Sequence, residues 1–323
     1  MSSRYSRQVA LPEVGEGGQA RLAAASVAVI GAGGLGCAVL EYLTAAGVGR
    51  LTIVDHDCVE ESNLHRQPLY RMSDLGRLKV EAARAALGAL NPAVRIEALA
   101  QRLTPAHAPA LAAAADVVVD AADSFATTYV LSDACLRAGK PLVSASVLGL
   151  AGYVGAFCGG APSYRAVFPE LPRQAGSCAE SGVLGTAVGV MGTLQAHLTL
   201  ALLLELDPPV LGRLISVDFR TLHFGGFSFR GAAEPGDALT FIAPAEVGTA
   251  DLVIDLRGRA EAPVSPFASA WRLGVEELEK GTPALPPAPR IVLCCRTGAR
   301  AWRAARALAA QGHKNLALIA LGE

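Results

Sequence analysis

Net charge is nearly missing from this chain: 28 Lys and Arg stand against 29 Asp and Glu, a formal charge of -1 at neutral pH. A general basic field of the kind that holds nucleic acid or an anionic membrane surface is therefore absent, and any cation used on an anionic ligand must be local. Cys-x-x-Cys pairs are absent too. The seven cysteines are scattered apart from the adjacent Cys294 and Cys295, which in 323 residues is no disulfide framework and fits a reducing cytoplasm. Residues 1–10 carry Arg4 and Arg7 but neither an apolar core nor a small-residue cleavage site, so no secretory signal is expected. Internal repeats and low-complexity tails are lacking as well.

Residues 183–204 contain no Asp, Glu, Lys or Arg and are long enough to cross a bilayer. Gln195, His197 and several Gly and Thr residues interrupt the run, and no basic anchors flank it, so a buried interior or dimer-interface helix is expected rather than a membrane span.

What is present is an alternation. The chain is longer than one hydrophobic core usually is, which favours two domains, 1–232 and 238–323. In the first, apolar runs at 27–30, 51–54, 116–119 and 142–147 alternate with Ala-rich helical stretches, as in a parallel sheet with crossover helices, and residues 77–90 read as a helix stopped by Asn91-Pro92. From Gly152 the texture turns to short Gly-punctuated strands, with a pair at 214–219 and 222–229 that reads as antiparallel. Residues 231–236 form a linker. Beyond it a smaller α/β unit is expected, with strands at 252–254 and 291–293 and a helix over 299–310 capped by Gly312.

Gly31-Ala32-Gly33-Gly34-Leu35-Gly36 follows a strand and opens a helix, so backbone N–H groups can approach a phosphate at the helix N-terminus. Asp55, about 20 residues on, is placed to accept from a ribose hydroxyl. An NAD-dependent oxidoreductase would satisfy both features. Asn63, Arg66, Lys79 and Asp123 tip the balance, because loops at the carboxyl ends of strands converge on one crevice. Two cations and a carboxylate there suit a triphosphate with Mg²⁺, whose charge must be offset while the α-phosphate is attacked. Taken singly, each would be an exposed, salt-bridged side chain.

Arg4-Tyr5-Ser6-Arg7-Gln8, the glycine loop, Val54-Asp55-His56-Asp57, Asn63-Leu64-His65-Arg66-Gln67, Gly76-Arg77-Leu78-Lys79-Val80-Glu81, Asp120-Ala121-Ala122-Asp123 and Ser177-Cys178-Ala179-Glu180-Ser181-Gly182-Val183 occur in order over roughly the first 230 residues. Together they resemble the motifs of the bacterial relatives of ubiquitin-activating enzymes, the molybdopterin-synthase and thiamine sulfur-carrier adenylyltransferases. The resemblance implies a Rossmann-like doubly wound sheet with an antiparallel extension. It implies a reaction in which the C-terminal glycine of a small ubiquitin-like carrier ending in Gly-Gly attacks ATP, giving acyl-AMP and pyrophosphate. It places Gly31, Gly33, Gly34, Gly36, Asp55, Asp57 and Gln67 around the nucleotide, with Asn63, Arg66 and Lys79 on the phosphates and Asp123 on Mg²⁺. Arg7 would reach the phosphates of the neighbouring subunit in a homodimer.

Two departures stand out. Relatives commonly hold structural zinc through two Cys-x-x-Cys pairs, but Ser163 and Ala166 occupy the first pair's positions and nothing like the second precedes the linker, so no zinc is expected. The family's Asp-Asn pair is Asp123-Ser124 here.

Two cysteines are candidates for sulfur chemistry. Cys178, just before the apolar helix, would by the resemblance take the carrier as a thioester or acyl persulfide, with a helix N-terminus favouring its thiolate. Cys295-Arg296-Thr297-Gly298-Ala299-Arg300 resembles the rhodanese active-site loop, preceded by an Asp-x-Arg at Asp255-Leu256-Arg257, and implies a persulfide on Cys295 with a cysteine desulfurase as donor. Cys294 reads as the last strand residue, turned into the core. The unit is shorter than a typical rhodanese domain. Cys37, Cys58, Cys135 and Cys158 read as core or incidental. Besides the oxidoreductase, the open alternatives are an ATP-dependent tRNA-base dehydratase of the same fold and a scaffold that has lost its activity.

Overall fold

The computed structural model describes residues 3–171, 182–281 and 284–322. Two short helices, α1 (Ser6–Val9) and α2 (Gly15–Ala24), lead into β1 (Ser26–Ile30), α3 (Gly34–Ala46), β2 (Arg50–Val54), α4 (Lys79–Leu90) and β3 (Arg95–Leu99). There follow α5 (Ala108–Ala114), β4 (Val117–Asp120), α6 (Phe125–Ala138), β5 (Pro141–Leu148) and β6 (Ala151–Cys158). The first unit closes with α7 (Tyr164–Val167), α8 (Gly185–Leu204), β7 (Arg213–Asp218) and β8 (His223–Ser228). The sheet runs β3-β2-β1-β4-β5-β6-β7-β8, parallel through β5 and antiparallel from there on. The expected Rossmann-like sheet with an antiparallel extension is what forms.

Alternation along the strands distributes the core. Val27, Val29, Leu51, Ile53, Val117 and Val119 face α3, α4 and α8. Ala28, Ile30, Val54 and Val118 face the opposite way, towards α5 and α6. Residues 77 and 78 lie outside the helix expected from 77, because Arg77 is held in a turn, its backbone N–H and its side chain both bonded to Asp74. The edge strand β3 has no sequence forecast: its residues Arg95–Leu99 are all at least partly exposed, and an edge lacks the continuous apolar run of a buried strand.

The second unit is a small all-parallel sheet. Its elements are β9 (Thr240–Phe241), β10 (Leu252–Asp255), β11 (Trp271–Arg272), α9 (Val275–Glu279), β12 (Ile291–Cys295), α10 (Ala299–Ala310) and β13 (Leu316–Ala320), in the sheet order β11-β10-β12-β13-β9. Strand β12 runs on to Cys295, one residue beyond the expected end at Cys294. Cys294 is turned into the core as expected, with Val253, Val292 and Ile319.

The two units share one core. Ile254, Leu293, Cys295, Trp302 and Leu318 of the second belong to the same buried cluster as Ala126, Tyr129 and Tyr164 of the first. The rings of Tyr129 and Trp302 lie 5.0 Å apart, and the buried Arg165 guanidinium sits 4.5 Å over Tyr129 while pairing with Asp133 through two bonds of 2.6 and 2.9 Å. The expected linker is also tied down: the Glu234 carboxylate accepts from the backbone N–H of Ser163 at 2.7 Å and from its hydroxyl at 2.6 Å.

Candidate active site

The glycine loop forms where β1 ends between β2 and β4. Gly31 donates to Val54 O at 2.9 Å and has φ +96°, and a Cβ there would fall 2.6 Å from Ala121 O. Gly36 must be glycine for a related reason, since a Cβ would fall 2.1 Å from Gly31 O as α3 turns back on the loop. Both restrictions keep backbone N–H groups at the surface of a tight turn, where an anion can reach them. Gly33 caps α3 and Gly34 begins it; a Cβ on Gly34 would press 2.6 Å from Val188 of α8, whereas one on Gly33 would only touch Gln67.

Asp55 braces the loop. Its Oδ2 accepts from Ala32 N at 2.7 Å and its Oδ1 from Asp57 N at 2.8 Å, while the side chain stays partly exposed beside the crevice. Tyr70, which sequence reasoning missed, braces the loop from behind by donating its hydroxyl to Ala32 O at 2.7 Å. Its signal was a tyrosine three residues past Gln67, indistinguishable in sequence from an ordinary core aromatic. Gln67 itself is buried, and its Oε1 has no hydrogen-bond partner.

Around the loop stand the expected charged groups. Lys79 opens α4 with its side chain nearly buried and its Nζ 2.8 Å from Asp57 Oδ2. Burial alone would raise the Asp57 carboxyl, but the hydrogen bond and charge of Lys79, with His56 and Arg102, hold it below the usual carboxylate range. Arg66 donates to Asn63 Oδ1 at 2.6 Å and to His65 Nε2 at 2.8 Å, and Asn63 donates to Glu60 at 3.2 Å. Asn63 is thus the orienter of Arg66 rather than a free arm. Asp123 lies exposed two residues before α6. Gly31, Gly33, Gly34, Gly36, Asp55, Asp57, Asn63, Arg66, Gln67, Lys79 and Asp123 are therefore gathered by the loops that leave the carboxyl ends of β1, β2 and β4.

Arg7 is not among them. Its helix α1 docks where α3 ends, with Gln8 donating to Ala46 O at 3.1 Å and Asn91 bonding the Tyr5 hydroxyl at 2.8 Å. The length of α3, roughly 20 Å for its 13 residues, separates that end from the glycine loop. Within one protomer Arg7 stands apart from the crevice. Cys178 lies outside the described residues.

The remaining site forms at the end of β12. Cys295 Sγ has no exposed surface and accepts from Gly298 N at 3.1 Å and Ala301 N at 3.4 Å, a cradle of N–H groups at the start of α10. Gly298 has φ +89°, and a Cβ there would press 2.7 Å from Phe241 and 3.4 Å from Ala126 of α6. Arg300 is bonded to Glu261 and to Leu256 O, whereas Arg296 is exposed. Buried Asp255 is clamped by three bonds from Arg257, two of them from its guanidinium, and one from Ser265, with Arg272 at 3.5 Å; burial raises its carboxyl, but these bonds together hold it low. The expected Asp-x-Arg is a staple on the strand beside Cys294, not a part of the thiol cradle. Of the remaining cysteines, Cys37, Cys135 and Cys158 are buried, their thiols pushed up by burial, and Cys58 is exposed.

The ThiF family profile matches residues 5–236. The chain is 47% identical over 235 residues to a protein of Thermus thermophilus named sulfur carrier protein adenylyltransferase, covering 70% of this chain and 87% of that one. It is 52% identical over 218 residues to bovine adenylyltransferase and sulfurtransferase MOCS3, covering 67% of this chain and 48% of that protein, and so spans about half of its length. To the pig protein of that name it is 39% identical over 319 residues, 86% of this chain and 70% of that one. Among solved structures, Escherichia coli MccB is similar with a TM-score of 0.62 over 71% of this chain and 72% of that one, at 21% identity, a likeness of fold.

Proposed function

The chain belongs to the ThiF family, and on that premise we propose that it uses ATP to adenylylate the C-terminal glycine of a small ubiquitin-like sulfur-carrier protein ending in Gly-Gly. The observation that carries this is the meeting of the glycine loop, Asp55, the Lys79–Asp57 pair, Arg66 and Asp123 at one edge of the sheet. A carrier carboxylate oxygen attacks the α-phosphorus, the bond from that phosphorus to the oxygen bridging to the β-phosphate breaks, and pyrophosphate leaves with the electron pair. No proton need be moved, so the protein's share is positioning and charge neutralisation. Loop N–H groups hold the phosphates, Asp55 meets the ribose, and Lys79 and Arg66 offset the charge gathering on the leaving pyrophosphate. The unpaired buried Gln67 Oε1 gives a ligand donor a place beside Gly33. Asp123, exposed at the crevice, fits a Mg²⁺ ligand, and the ion would neutralise phosphate oxygens when bound.

A homodimer belongs to the same proposal, because Arg7 can serve only a crevice other than its own protomer's. Ser163 and Ala166 offer no thiolate, and Ser163 is instead bonded to Glu234, so we assign the chain no zinc. Cys295 in its N–H cradle is assigned a persulfide role, with sulfur from a cysteine desulfurase, in molybdenum-cofactor, thiamine or a related pathway of the cytoplasm.

Exchange of labelled pyrophosphate into ATP, measured with carriers ending in Gly-Gly, tests the reading. Exchange is expected with such a carrier, at least 100-fold slower in Lys79→Met and intact in Cys295→Ala. Its absence with every carrier would sink the proposal.

A further inference from the structure

We propose that Arg102 is an additional phosphate-binding cation of the nucleotide crevice, and that Gly322 of the second unit sets it in place. The inference rests on the reading of the crevice as an ATP site.

Topology brings Arg102 there. Leu99, the last residue of β3, pairs in register with Val54, and its carbonyl accepts from Asp55 N at 3.3 Å. Gln101 N then turns back to Leu99 O at 2.9 Å, so Arg102 leaves the sheet at the same carboxyl edge as Asp55 and Asp57. Its charge is felt by Asp57, which is already engaged by Lys79 at 2.8 Å. Arg102 is exposed and closes no ion pair of its own among the described residues. A guanidinium at that edge that closes no salt bridge among the described residues is available to a phosphate group, two of whose oxygens it can meet through parallel N–H bonds.

The second unit supplies the bracket. Gly322 has φ +77°, and a Cβ there would lie only 1.5 Å from Arg102 Nη1, so the guanidinium rests directly on the glycine's α-carbon. Gly322 is itself fixed, since its N–H donates to Arg296 O at 2.8 Å while Leu321 N donates to Cys295 O at 2.9 Å. The position of Arg102 is thereby tied to the segment that carries the Cys295 loop.

Binding of Mg-ATP and of adenosine to the full chain, measured by calorimetry, separates the outcomes. Arg102→Ala is expected to weaken ATP about tenfold and leave adenosine unchanged, with Arg102→Lys recovering part of the loss. Gly322→Ala, which evicts the guanidinium without removing it, is expected to weaken ATP several-fold, again sparing adenosine. Unchanged ATP affinity in Arg102→Ala, or an equal loss for ATP and adenosine, overturns the assignment while leaving the ATP site standing. Failure of the unmodified chain to bind ATP overturns the site and Arg102's role with it.

Discussion

Asp120 ends β4 with its carboxyl fully buried beneath the crevice, accepting from Ser144 Oγ at 2.9 Å and Ala122 N at 3.3 Å, while Gln195 donates to its backbone carbonyl at 2.7 Å. Burial pushes this carboxyl up to about 6, against the hydrogen bonds that favour its charged form. An unfolded Asp titrates near 4, so between roughly pH 4 and 6 the folded chain holds the extra proton and stability falls as pH rises through that window. Asp120→Asn keeps the shape and removes the titration. Urea unfolding across this range should show the variant gaining on the wild type as pH rises, by up to roughly 3 kcal/mol by pH 7. Parallel pH curves would mean that Asp120 is ionised alike in both states. The sequence displays Asp120-Ala121-Ala122-Asp123 as one motif but does not say which carboxylate is sealed. That depends on Ser144 and Gln195, which arrive from β5 and α8. Asp123, by contrast, stays exposed just past the strand end, where its place in the sequence put it.

At the scale of the element, α8 is the helix that the apolar run at 183–204 foretold, and it alone among the described helices is long and apolar enough to cross a membrane. Its apolar residues are used inside the protein: Ala187, Val188, Met191, Ala196 and Leu198 are buried between α3 and the sheet. Glycine sets the approach, for a Cβ on Gly192 would lie 2.5 Å from Leu35 O and 3.0 Å from Ala38 of α3. Gly192→Leu should therefore push α8 off α3, costing about 2 kcal/mol or more and loosening the glycine loop that Gly34 and Val188 pin together. Thermal unfolding with and without ATP checks this: a lowered Tm with weaker ATP binding is expected, and an unchanged Tm would show that α8 has room to spare. The helix could be read in sequence because it lacks charge; its partner could not, since the glycines that select α3 look like interruptions until the two helices are side by side.

For the whole molecule, the composition break at residues 231–236 falls between the two sheets, but the joint between them was not legible. Tyr129, Arg165 and Trp302 come from segments with no relation in sequence, and the linker residue Glu234 gave no sign of its bond to Ser163. Because the aromatic contact belongs to one buried cluster spanning both units, they should unfold together in a single transition. Trp302→Ala opens that cluster and is expected to cost about 3–5 kcal/mol, splitting the transition in two as the second sheet detaches first. Scanning calorimetry decides it, and a variant that keeps one transition at the wild-type temperature would show that the units are held elsewhere.

Cys295 lies at this joint, its sulfur cradled by the first turn of α10 and without any surface of its own. In the proposed persulfide role, a sulfur with no surface of its own would meet a donor or an acceptor only when its surroundings open, so the frequency of that opening would act as a clock for sulfur transfer.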